Sequence, residues 1–68
     1  MMNNVCDNLR KLRKINGLTQ QQMADILGVT RMMYSIYENK KVASLDKLQE
    51  IADFFNVDVD YFFKKNED

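Results

Sequence analysis

Residues 21–39 read QQMADILGVTRMMYSIYEN, and the order of small, apolar and capping residues in this stretch decides the fold. Immediately before it, Thr19 is followed three residues later by Gln22, the spacing of a capping box, so a helix opens at about Gln20. Met23, Ala24 and Leu27 make its inward face, and Gly28 suits its stop. Thr30 then caps a second helix over about Arg31–Asn39, with Tyr34 and Tyr37 three apart on one face. The turn between them, Gly28-Val29-Thr30, is short, and the small Ala24 in the first helix lets the second cross it closely at a steep angle.

Outward from this pair, the chain contains no proline and two glycines, so it reads as mostly helical and punctuated by caps. Val5, Leu9 and Leu12 fall at i, i+4, i+7 and predict a first helix over about Asn4–Asn16, closed by Gly17 in a left-handed cap. Ser44 caps a fourth helix whose Leu45, Leu48, Ile51, Ala52 and Phe55 repeat at helical spacing. Asp58 begins a short fifth helix through about Lys64, and the tail Asn66–Asp68 is expected to fray. The fold class that follows is all-α, a compact five-helix domain spanning residues 1–68, without repeat, linker or low-complexity segment.

A chain of 68 residues with a hydrophobic fraction of 46% has one small core and gains from a partner subunit. No apolar run approaches the roughly 20 residues that span a bilayer. The polar start MMNNVCDN lacks the basic and apolar segments of a signal peptide, which predicts a cytoplasmic protein. Cys6 is the single cysteine and histidine is absent, so neither an internal disulfide nor a metal site is expected, and no cofactor. Cys6 itself reads as a small apolar residue. Without histidine or a glycine-rich phosphate loop an enzyme is not expected; Asp58 and Asp60 are explained by helix capping and first-turn dipole matching.

The formal net charge is zero, yet the charges are unevenly placed. Between residues 9 and 41, Arg10, Lys11, Arg13, Lys14, Arg31, Lys40 and Lys41 face only Asp25 and Glu38, a net of +5, whereas residues 42–68 carry a net of −4. A basic half of this kind is the electrostatic footprint of a phosphate-binding surface.

Leu9, Leu12, Arg13, Gly17, Leu18, Thr19, Gln20, Met23, Ala24, Leu27, Gly28, Val29, Thr30, Glu38, Asn39, Ser44, Leu45, Ala52, Val57 and Asp60 together resemble the phage Cro and repressor family of helix-turn-helix regulators, also called xenobiotic-response-element-like. The resemblance covers essentially the whole chain. It implies a lambda-repressor-like five-helix domain, with residues 20–39 as the helix-turn-helix unit, helix 3 in the DNA major groove, and a dimer. It further implies that Gln20 and Thr30 reach backbone phosphate, that Arg31, Met32, Ser35 and Ile36 face the bases, and that Asn39, Lys40 and Lys41 grip the next phosphates. Arg13 and Glu38 resemble the family's internal ion pair, a structural link between helix 1 and the end of helix 3.

The sequence departs from that pattern in two places. Lys40 replaces the usual glycine after Glu-Asn, and the usual proline before Ser-Leu is missing, with Ala43 nearby. Met32, Met33 and Ile36 also stand where relatives often carry polar readers; an apolar face meets thymine methyl groups but makes no bidentate bonds to guanine or adenine.

The expected function is a sequence-specific, double-stranded-DNA-binding transcriptional repressor acting on an inverted-repeat operator, since occupying a promoter needs no further chemistry. The alternative is a protein-interaction module or an antitoxin-type protein that binds a partner through Met32, Met33 and Ile36. Phe54, Phe55, Val59, Tyr61, Phe62 and Phe63, within the C-terminal helices of residues 45–64, carry more apolar surface than two short helices readily bury, so they are expected to form a homodimer interface.

Overall fold

The structure, a computed structural model, describes residues 4–65. Its elements, in chain order, are α1 (Asn4–Ile15), α2 (Gln20–Leu27), α3 (Arg31–Asn39), α4 (Leu45–Phe55) and a 3-10 helix (Val59–Phe63). No strand occurs among the described residues. The all-α expectation therefore holds, with one adjustment: the fifth element is a 3-10 helix, not an α-helix. The expected fraying of Asn66–Asp68 lies outside the described residues.

Local chemistry explains each boundary. At the start of α2, the Gln22 backbone N–H donates to Thr19 Oγ1 at 3.1 Å and the Thr19 N–H donates to Gln22 Oε1 at 2.8 Å, completing the capping box. Gly28 closes α2 at φ 70°, and the Val29 N–H donates back to the Ala24 carbonyl at 3.0 Å, so the orphan carbonyls of the last turn are satisfied. Thr30 and Ser44 cap α3 and α4 through their hydroxyl oxygens. α4 ends on Asn56 at φ 58°, a left-handed residue that the sequence reading passes over; asparagine is among the few residues that tolerate this conformation.

The end of α3 accounts for the first departure from the family pattern. Lys40 takes φ −133°, which any residue can adopt, and both Lys40 and Lys41 donate their N–H groups to the Ile36 carbonyl at 2.8 and 3.0 Å. A glycine is not needed at a cap with negative φ.

The core joins Leu9 and Leu12 of α1, Met23, Ala24 and Leu27 of α2, Tyr34 of α3, Leu48, Ile51 and Ala52 of α4, and Phe62 of the 3-10 helix. Ala24 is fully buried, and its lack of bulk lets α2 pack against α3. Ala43 is buried in the α3–α4 connection. Cys6 is buried too, and burial pushes its thiol above the ordinary value, as suits a packing residue.

Asn8 of α1 reaches the other end of the chain. Its buried amide nitrogen donates to the carbonyls of Tyr61, Phe62 and Lys64 at 3.2, 3.1 and 2.8 Å. After Asp58 the backbone bonds close three residues back, the Tyr61 N–H donating to the Asp58 carbonyl at 2.9 Å, and Asn8 takes up carbonyls at the end of the segment. Elsewhere, Lys47 Nζ of α4 donates to the Leu27 carbonyl at 3.2 Å, placing a cation at the negative end of α2.

Candidate nucleic-acid interface

The outward side of α3 forms one shallow groove with the start of α2. Gln20, Arg31, Met32, Ser35, Ile36, Asn39 and Lys40 line it. All seven are residues that the family resemblance implicates in DNA contact, and the fold brings them together because positions 31, 32, 35, 36 and 39 share one face of a helix. Arg31, Met32, Asn39 and Lys40 are exposed, while Ser35 and Ile36 are half-buried. Lys41 is exposed but outside the groove, and the Thr30 hydroxyl oxygen accepts from the Met33 N–H at 3.1 Å as the α3 cap.

Behind this face, α3 is anchored by Glu38, whose exposure is 1%. Arg13 Nε donates to Glu38 Oε2 at 2.6 Å and its Nη2 to Oε1 at 3.3 Å. Arg13 Nη1 also donates to the Leu18 carbonyl at 2.9 Å, so a single guanidinium ties α1, the α1–α2 turn and α3 together. Burial works to raise the Glu38 carboxyl, but hydrogen bonds from Arg13 and Gln20 and the Arg13 charge outweigh it and hold the group below its ordinary value. The hydrogen bond to Glu38 in turn raises the Arg13 guanidinium. Tyr34 is buried beside the same carboxylate; its hydroxyl lies near Glu38 without a hydrogen-bond geometry, and burial pushes the phenol up.

Two of these partners escaped the sequence reading. Gln20 Nε2 donates to Glu38 Oε1 at 3.2 Å, so this side chain supports the ion pair as well as lining the groove. Arg10 Nη2 donates to the Glu38 backbone carbonyl at 2.6 Å and to Asn39 Oδ1 at 3.2 Å, while its Nη1 pairs with Asp7 at 3.4 Å. The available signal was spacing: Arg10 lies three residues before Arg13, on the same side of α1. Two of the seven cations of the basic half, Arg10 and Arg13, thus serve the interior of the fold.

The six residues grouped as a dimer surface separate. Phe62 is fully buried in the core of its own subunit, because the 3-10 helix folds it under α1, and it is not available to a partner. Phe55, Val59 and Tyr61 are half-buried against the same core. Phe54 and Phe63 remain outward, 61% and 52% exposed. Phe54 stands edge-on to Phe55 with ring centroids 5.0 Å apart.

Among the described residues no group of acidic, histidine or cysteine side chains is arranged to hold a metal ion, and no helix is long and apolar enough to cross a membrane.

The helix-turn-helix family profile matches residues 9–62. The chain is 39% identical over 64 residues to YobD, an uncharacterized HTH-type transcriptional regulator of Bacillus subtilis (strain 168), covering 93% of this chain and 57% of that protein. It is 42% identical over 59 residues to the uncharacterized HTH-type regulator YqaE of the same organism, covering 85% of this chain and 51% of the relative. A third relative there, the SPbeta prophage-derived HTH-type transcriptional regulator YonR, is 37% identical over 59 residues, covering 85% and 55%. The chain spans about half the length of the curated relatives it matches.

Proposed function

This chain belongs to the Cro and repressor family of helix-turn-helix transcriptional regulators, and from that membership we propose that it binds duplex DNA sequence-specifically with α3 in the major groove, acting as a cytoplasmic repressor. The observation that carries the reading is the groove along α3, in which Arg31 and Lys40 are exposed, no carboxylate is among the lining residues, and Glu38 behind it is buried and paired. Phosphate contacts fall to Thr30, Asn39, Lys40 and Lys41 and base contacts to Arg31, Met32, Ser35 and Ile36. Gln20 supports Glu38 and adds at most a secondary contact. A homodimer through Phe54 and Phe63, flanked by Phe55, Val59 and Tyr61, would set two α3 helices about 34 Å apart on an inverted repeat.

Binding measured over a range of salt concentrations tests the reading. Affinity should fall steeply with salt, and Lys40→Ala and Lys41→Ala should each flatten the slope by up to about one unit, because each neutralised phosphate releases counterion. Unchanged slopes in both variants would remove these lysines from the interface, and sedimentation showing only monomer at micromolar concentration would remove the dimer. A second reading, capture of a protein partner, draws on the exposure of Met32 and Met33; it predicts partner binding that survives in the absence of any duplex binding.

A further inference from the structure

The next step rests on the DNA-binding reading of the α3 groove and concerns what the groove recognises. In the major groove, adenine is read by an amide side chain that presents its nitrogen and oxygen side by side, guanine by a cation on O6 and N7, and thymine by contact with its C5 methyl group. Two amide side chains line this groove, Gln20 and Asn39. The Gln20 nitrogen is turned inward to the buried Glu38 carboxylate, a charge-assisted bond. Asn39 is held at both ends: its nitrogen donates to the Ser35 carbonyl at 2.9 Å, and its oxygen accepts from Arg10 Nη2 at 3.2 Å. Reading an adenine edge with both amide atoms therefore competes with bonds that Gln20 and Asn39 already make inside the protein.

What faces outward instead is Met32, 75% exposed, with Ile36 one turn further along the same face and Arg31 beside them. We propose that α3 reads its half-site chiefly through thymine C5 methyl groups packed against Met32 and Ile36, with Arg31 supplying the hydrogen-bonding contact to a guanine. The groove is then a methyl reader, in which Gln20 positions α3 and the Asn39 amide, tied to Ser35 and Arg10, is left for a backbone phosphate and not for a base. The exposed cations Arg31 and Lys40, which line the groove beside the apolar strip, make duplex DNA its fitting occupant.

The test starts from a pool of random duplexes from which the protein enriches its site. Each thymine of that site is then replaced singly by deoxyuridine, which keeps the pairing edge and O4 and removes only the methyl group. Affinity should drop by about fourfold at each contacted position, the equivalent of one buried methyl, while the salt slope stays constant. Met32→Ala, at an exposed position, should erase the thymine-over-uracil preference at one of those positions. Equal affinity for thymine and uracil at every position, or an enriched half-site without thymine, overturns the methyl reading and leaves DNA binding standing. Failure to enrich any duplex overturns both.

Discussion

Glu38 and Asn8 are the two buried polar side chains of the molecule's described part, and each joins elements far apart in the chain. Glu38 gathers Arg13, Arg10 and Gln20 behind the outward face of α3, and Asn8 gathers backbone carbonyls at the end of the 3-10 helix. The first lock is ionic and the second neutral. An ionic lock depends on its cation, because a carboxylate left buried without it costs several kcal/mol, whereas losing a neutral amide leaves only uncharged carbonyls short of a donor, a smaller penalty. The contrast assigns different work to the two ends of the domain: the Glu38 cluster holds α3 at a fixed angle, and Asn8 keeps the C-terminal segment docked on α1.

The strongest way to break this contrast is Arg13→Ala. With Glu38 still buried and only Gln20 and the more distant Arg10 beside it, the variant should lose about 3 kcal/mol in urea unfolding. Asn8→Ala leaves carbonyls without their donor and should cost less, about 2 kcal/mol, with faster amide hydrogen exchange concentrated in residues 59–64. If Asn8→Ala proves the costlier change, the ionic lock is not the dominant one.

The smallest effect sharpens the comparison through pH. The Glu38 carboxyl is held below its ordinary value in the folded state, so it binds a proton less readily folded than unfolded. Its contribution is therefore present above the ordinary carboxyl range and is lost as pH falls through the lower, folded value. Unfolding curves collected from neutral to acid pH should show this loss in the wild type and in Asn8→Ala, and a shallower decline in Glu38→Gln. An undiminished acid slope in Glu38→Gln would place the sensitivity in other carboxylates.

Most features that form within about one helical turn were legible in the sequence, the left-handed Asn56 cap and the 3-10 form of the last element excepted. Thr19 with Gln22, Thr30, Ser44 and Asp58 cap the elements that spacing predicts, and Gly17 and Gly28 take the left-handed conformations that end α1 and α2. Such features are legible because donor and acceptor lie two to five residues apart, so composition and position alone bring them into contact. The residues of the groove and the Arg13–Glu38 pair were legible through the family resemblance. Tertiary structure decided the rest. Which carbonyls Asn8 would meet, up to 56 residues away, and that Gln20 would turn toward Glu38, 18 residues on, depend on how the helices cross. The division of adjacent aromatics, with Phe62 fully buried and Phe63 outward, likewise follows from the 3-10 geometry and its docking against α1. No local spacing rule encodes these outcomes, because hydrophobicity states only that a side chain prefers cover, and the packing of distant elements settles which side chain receives it.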